Sequence, residues 1–494
     1  MRMGGLVALA LGAIATGALA APPPLVTPSG RLQGTAHEGV VAYLGIPYAQ
    51  APVGELRWRA PQALGHWSGV RAAQAFGSDC MQPRRPGGAD ARPMSEDCLY
   101  LNVWTAAHSA AARLPVMVWV HGGAFMLGAS SQPLYEGSAL ARRGVVLVTL
   151  NYRLGRFGFF AHPALTRESP QGPLGNYGLL DQMAALRWVQ RNIRAFGGDP
   201  HNVTLFGQSA GGASVADLMV SPLARGLYQK AIIESGIFRQ PLPSLAEAER
   251  AGATAAASWG AADADAQALR ALPAATVLGA GPPLAARAGP MLDGKVLPEE
   301  VASAFDAGHV AHVPLIIGSN NDEALFFPDQ AHGLAQRYAA QWPAISSAFD
   351  GYGTHQTAAI ESELATDMLI TAPTWHVARA AARHGLPTYL YYYSYVRPAQ
   401  RGHAPGASHI DEVYAVFDRF SGADGADTQP IVEALQSRWV RFATTGRPGT
   451  HDAPWPPLGA GAVRLLEFTD AGPRVRADFA QERLQLAERI AAAH

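Results

Sequence analysis

Cysteine is almost absent from this chain: Cys80 and Cys98 are the only two in 494 residues. That excludes a disulfide-dense scaffold, and with no histidines near either thiol it argues against a zinc site. Net charge is also close to absent, at −1 from 38 basic and 39 acidic side chains. No global field therefore favours nucleic acid or an acidic partner. No stretch after the first twenty residues approaches the ~18 uninterrupted apolar residues needed to cross a bilayer, so stable membrane insertion is not expected. Lysine is nearly missing as well, with only Lys230 and Lys295 against many arginines. Together with the richness in Ala and Gly, this fits a bacterial origin with a GC-rich genome.

What is present begins at the N terminus. Arg2 supplies a positive start, Leu6 to Ile14 a short apolar run, and Ala18-Leu19-Ala20 a small-x-small site before Pro22-Pro23-Pro24. This pattern reads as a secretory signal peptide over residues 1–20, cleaved after Ala20, leaving residues 21–494 for the periplasm or the medium. An even cysteine pair enclosing a loop in an exported protein reads as one disulfide, contributing about 3 kcal/mol by restricting the unfolded chain.

Further on, short apolar runs alternate with helical patterns. Candidate core strands are Val116–Val120, Val145–Leu150, Val203–Phe206, Ala231–Ile233, Leu315–Ile317 and Tyr389–Tyr393. Between the second and third, Leu179, Met183, Leu186, Val189, Ile193 and Phe196 step by three or four, the period of an amphipathic helix. Continuous apolar strands alternating with such helices predict an α/β fold with a mostly parallel sheet covered on both faces, in one domain with large insertions. The sequence shows no internal repeat; the one biased segment is an Ala-rich stretch from Ala246 to Ala280.

The chemistry concentrates at Gly207-Gln208-Ser209-Ala210-Gly211, between the run ending at Phe206 and a small-residue segment able to start a helix. A serine hydroxyl is a poor nucleophile until a base takes its proton and its oxygen is held exposed. The G-x-S-x-G turn exposes it, and the following helix N terminus aims amides at the site. A second element, His121-Gly122-Gly123-Ala124-Phe125, follows the strand at Val116–Val120. Its paired glycines let main-chain N–H groups approach a developing oxyanion, so Gly122, Gly123 and Ala210 are the candidate oxyanion hole. His121 reads as structural there.

An acid and a base are expected later in the chain, in the order Ser, acid, His. Asp322 and Glu323 follow the strand run Leu315–Ile317 and are equal candidates on position alone. His409 sits in a loop after Tyr389–Tyr393, with His403 as a competitor among 16 histidines.

Longer motifs narrow those choices. Gly45-Ile46-Pro47-Tyr48-Ala49, Glu96-Asp97-Cys98-Leu99-Tyr100-Leu101-Asn102-Val103, Asn151-Tyr152-Arg153, Gly178-Leu179-Leu180-Asp181-Gln182 and Phe196-Gly197-Gly198-Asp199-Pro200 occur in that order. In these motifs the chain resembles the type-B carboxylesterase family of α/β-hydrolases, from about Leu44 to about Trp455. The resemblance implies a cofactor-free, metal-free serine ester hydrolase acting on a small-molecule ester, with Ser209, Glu323 and His409 as triad and Cys80–Cys98 as the family's first disulfide. Asp322, Arg57, Glu96, Arg153 and Asp181 read as structural, the last four as two buried ion pairs.

Departures from the cholinesterase members constrain the substrate. Gln208 stands where they carry Glu, and the loop between the cysteines holds no aromatic residue to grip a quaternary ammonium. That loop carries Arg84, Arg85 and Arg92. If it covers the site mouth, those arginines suit esters that bear a free carboxylate, such as tricarballylate, phthalate or hydroxycinnamate-type esters. Ala286, Ala288 and Gly289, before Pro290, are small and predict an acyl pocket that admits more than acetyl. An amidase or peptidase would use the same triad, whereas a binding protein on this fold would lack the serine. The sequon Asn202-Val203-Thr204 falls on a core strand, where a glycan has no room. A monomer or weak oligomer is expected.

Overall fold

The computed structural model describes residues 22–83, 92–169, 171–172, 174–279, 288–350, 353, 356–420, 425, 427–459, 464–477 and 479–492. Arg84, Arg85 and Ala286 lie outside them, as does the proposed leader.

The frame is one sheet of eleven strands. In chain order they are β1 (Thr35–His37), β2 (Val40–Pro47), β3 (Tyr100–Thr105), β4 (Leu114–Val120), β5 (Val146–Leu150), β6 (Gly198–Gln208), β7 (Lys230–Glu234), β8 (Leu315–Asn320), β9 (Thr388–Tyr393), β10 (Arg464–Thr469) and β11 (Gly472–Ala477). Across the sheet the order is β11-β10-β9-β8-β7-β6-β4-β5-β3-β2-β1. From β10 to β5 every neighbouring pair is parallel, and the two flanks are antiparallel.

Alternation along each strand divides the core in two. Val116, Val118 and Val120 join Val148, Leu205, Ile233 and Ile317 on one face. Met117 and Trp119 join Phe206, Ile232, Ile316 and Tyr391 on the other. The first face is covered by α1 (Tyr177–Asn192), α2 (Ala210–Val220) and α3 (Ala372–Arg383), through residues such as Met183, Leu218 and Val377. The second is covered by α4 (Asp411–Phe417) and α5 (Gln429–Thr445), through Phe417, Trp439 and Phe442. A sheet buried on both faces needs near-continuous apolar strands, which is why all six expected core runs appear as strands.

The ends differ from expectation for local reasons. The α-helical part of α1 stops at Asn192, and Ile193–Phe196 tighten into a 3₁₀ turn closed by Gly197 at φ +82°. Strand β6 then starts at Gly198, five residues before the expected Val203, with an irregular register between the two. Strand β2 escapes a sequence reading because Gly45, at φ +68°, shifts its pairing to β3 between Tyr43 and Ile46. The glycan sequon is closed off as anticipated: Thr204 is fully buried, and the Asn202 side chain accepts from Lys230.

Two buried ion pairs pin the loops on the catalytic side of this frame. Arg57 grips Glu96 through two hydrogen bonds of 2.7 and 2.5 Å and also donates to the carbonyls of Arg270 and Leu272. Arg153 grips Asp181 of α1 through two bonds of 2.7 Å. Cys80 and Cys98 form a disulfide.

Removing one partner of such a pair strands the other charge in the core. Arg153→Ala is therefore expected to lower stability by about 3–5 kcal/mol, whereas Arg153→Met with Asp181→Leu recovers most of it. Apparent melting temperatures at one scan rate would check this; equal losses in the two proteins would contradict it.

Candidate functional site

Strand β6 ends in the backbone feature on which the site is built. Ser209 adopts φ +57° and ψ −127°, a strained conformation for a side chain other than glycine. Its amide donates to the Glu234 carbonyl at 2.9 Å, and its own carbonyl accepts from Ala213 at 2.8 Å. Glycine is required around it because three chain segments cross closely. A Cβ on Gly207 would lie 2.6 Å from the Val120 carbonyl oxygen, and one on Gly211 would overlap that same oxygen. A Cβ on Gly212 would stand 2.8 Å from the Glu234 carbonyl. The turn thus raises Ser209 at the C-terminal edge of the sheet, with α2 starting at the next residue.

Beside it runs the loop after β4. A Cβ built on Gly122 would lie 3.1 Å from the Ser209 Cβ, so any side chain there would press on Ser209. Gly123, Ala124 and Phe125 all have positive φ, at +111°, +55° and +60°. The Gly123 carbonyl is taken by the amides of Met126 and Leu127, both at 2.9 Å. The turn places Gly122 against Ser209, and Ala210 opens the helix at the next residue. His121 is not part of it. Its ring stacks on Tyr152 at 4.6 Å and its Nδ1 lies 2.8 Å from the Gly122 carbonyl oxygen. Burial lowers its pKa to about 4, so it stays neutral.

Of the two adjacent acids, Glu323 is the one that meets the histidine. His409 Nδ1 lies 2.5 Å from Glu323 Oε2. Glu323 Oε1 accepts from the Ser235 hydroxyl at 2.6 Å and the Asn320 amide at 2.7 Å. Three donors on one fully buried carboxyl fix its orientation. Asp322 points elsewhere, accepting from Ser362 at 3.0 Å. His403 is exposed in a surface turn. The Nε2 of His409 is buried and has no hydrogen-bond partner among the described residues. The Nδ1 contact fixes the tautomer that leaves Nε2 as an acceptor.

The side chain of Gln208, expected beside the substrate, is buried and donates through Nε2 to the main-chain carbonyl of His409. It ties the histidine loop to the end of β6, and that donor is already used. Arg92 likewise folds back over the Phe76 ring, 5.1 Å from its centroid, and toward Asp79 at 3.9 Å. In the expected acyl pocket, Ala288 is partly buried, and a Cβ on Gly289 would lie 3.7 Å from the Phe125 ring.

The sequence reading missed an aromatic collar. Phe326, Phe327 and Phe238 place their ring centroids 5.2, 5.1 and 6.2 Å from the His409 ring. Phe326 is half exposed beside the equally exposed Leu325, which makes an apolar rim on the histidine side. The visible signal was the apolar run Ala324–Phe327 placed directly after a candidate acid.

The Carboxylesterase family profile matches residues 21–341 and 344–487. The chain belongs to the carboxylesterase family. Among curated relatives, the para-nitrobenzyl esterase of Bacillus subtilis (strain 168) is 39% identical over 466 residues, covering 87% of this chain and 92% of that protein. The fumonisin B1 esterase of Sphingopyxis macrogoltabida is 37% identical over 453 residues, covering 86% and 83%. Among solved structures, a PNB esterase superposes with a TM-score of 0.80 at 35% identity, covering 94% of this chain and 99% of that one. The Geobacillus stearothermophilus carboxylesterase gives 0.80 at 32% identity over the same shares. This carboxylesterase is therefore a carboxylic ester hydrolase on a fold shared with bacterial esterases.

Gln208 yields a test of its inward role. Gln208→Glu replaces the donor facing the His409 carbonyl with an acceptor, and should lower kcat about tenfold with little change in KM. A change confined to KM would instead put the side chain against the substrate.

Proposed function

We propose that this carboxylesterase hydrolyses small to medium carboxylic esters through an acyl-enzyme on Ser209. The Glu323–His409 contact of 2.5 Å beside the Ser209 turn carries this reading. His409 Nε2 takes the proton of Ser209 Oγ as that oxygen bonds the ester carbonyl carbon. Negative charge builds on the former carbonyl oxygen, where the amides of Gly122, Gly123 and Ala210 stabilise it; one such donor is worth roughly 2.7–4 kcal/mol. The C–O bond to the alcohol then breaks, and His409 returns its proton to the leaving oxygen. Water repeats the sequence on the acyl-enzyme, releasing the acid and restoring Ser209. Glu323 steadies the imidazolium in both halves.

The collar of Phe238, Phe326 and Phe327 surrounds the base that protonates the alcohol, which supports a preference for apolar or aryl alcohol groups. The arginines Arg84 and Arg85 support a second preference, for esters bearing a free carboxylate. Small residues at Ala286 and Ala288 support acyl groups larger than acetyl. We also propose that residues 21–494 act as one catalytic unit, a monomer or weak oligomer. The family match across both halves and the sheet running from Thr35 to Ala477 support this.

Export completes the reading. Cleavage after Ala20 places Ala21 at the mature N terminus, in the periplasm or medium. Intact mass and N-terminal sequencing of protein recovered from those fractions would check it; a retained Met1 in an exported form would contradict it.

The decisive assay is steady-state hydrolysis of p-nitrophenyl esters from acetate to octanoate, with one carboxylate-bearing ester. Ser209→Ala should lose kcat/KM by about four orders of magnitude or more on every ester. Arg84→Ala with Arg85→Ala should raise KM for the anionic ester alone. A Ser209→Ala protein as active as wild type would overturn the nucleophile, and equal KM changes on neutral and anionic esters would overturn the arginine role.

A further inference from the structure

Behind the His409 ring, three glutamates from different elements share one buried compartment. Glu234 comes from the end of β7, Glu323 from the turn after β8, and Glu412 from the first turn of α4; none of them is exposed. The Tyr391 and Tyr393 hydroxyls of β9 are buried in the same interior, and Asp411 and Arg397 lie on its outer side. The groups felt by Glu412 are Glu234 and Glu323, and it lacks a cationic partner among the described residues.

Hydrogen bonding separates the three. Glu323 receives Ser235, the Asn320 amide and His409, one donor or more on each oxygen. Among the described residues Glu234 receives only the Trp439 indole at 2.7 Å, and its Oε2 has no partner. From the side chains among the described residues Glu412 receives only the Asn320 amide, and its Oε1 has no partner there. Nearby, Asn320 Oδ1 and the Tyr391 hydroxyl are also buried without partners among the described residues. Three carboxylates so close in a low-dielectric interior, with one histidine to offset them, are electrostatically prohibitive.

We infer that Glu234 and Glu412 are held as neutral carboxylic acids, leaving Glu323 as the sole negative charge behind His409. They are positioning residues that act through the imidazole. Burial acts in the same direction, pushing the Glu412 carboxyl well up and that of Glu234 to about 8. One negative charge steadies the imidazolium while still letting it release its proton to the leaving alcohol; three would hold that proton too tightly.

The inference rests on the triad reading above. Its first test is the pH profile of kcat/KM for wild type and Glu412→Gln, compared in the position of the acid limb and not its height. A neutral Glu412 leaves that limb within about 0.3 pH unit of wild type, because no charge is removed. A downward displacement of about one unit or more means a carboxylate was removed, and overturns the inference.

The second test needs no activity. A Glu234 pKa raised from 4.5 to about 8 means the folded protein keeps a proton that the unfolded chain releases. Wild type should therefore lose apparent melting temperature relative to Glu234→Gln as pH rises from 4.5 to 8, with no further divergence above. A constant offset between the two proteins across that range overturns the inference. An inactive wild type would count against the triad reading alone, since the melting comparison still reports on the carboxyls.

Discussion

Everything that gives this carboxylesterase its chemistry hangs on the close crossing at the end of β6. There the left-handed backbone of Ser209 is trapped between the Val120 and Glu234 carbonyls. A strained residue persists only when its surroundings over-determine it. Here the two flanking parallel strands do so, β4 through the glycines at 207 and 211, β7 through the Ser209 amide. The same crossing delivers the Gly122 segment to within contact of the Ser209 Cβ. The Ser209 turn and the Gly122 loop are therefore fixed by one packing event at the centre of the sheet.

The two later members of the candidate triad arrive by a different route. Glu323 and His409 follow β8 and β9, the next strands outward, so parallel topology alone brings them to the same edge of the sheet as Ser209. Their mutual aim is then set by side-chain bonds, with Ser235 and Asn320 orienting the acid and Gln208 holding the histidine's main chain. Gln208 thus couples the Ser209 turn directly to the His409 loop. The interior behind this pair is rich in carboxyls and phenols, a costly arrangement that is tolerable only if charge is rationed among them.

The outward side is apolar. Phe238, Phe326 and Phe327 leave His409 little contact with water, which strengthens its hydrogen bond to Glu323. Two of the three collar residues sit on the 3₁₀ turn that begins at Glu323 or directly after it. Glu323 and the collar are consequently one structural unit, and a shift of that turn would move both together.

The sequence alone was enough for the central strands, the nucleophile turn, the paired-glycine loop and both buried ion pairs, because each is written in local periodicity, in contiguous motifs or in family resemblance. It left Asp322 against Glu323 and His403 against His409 undecided on position alone, since adjacent residues and loop histidines differ in aim and not in type. It missed β2, whose glycine breaks the strand pattern, and the aromatic collar, whose members are 89 residues apart between Phe238 and Phe327. Those features exist only once strands far apart in the chain are paired. Tertiary structure decided them because direction, burial and mutual approach are properties of the packed sheet, not of any segment within it.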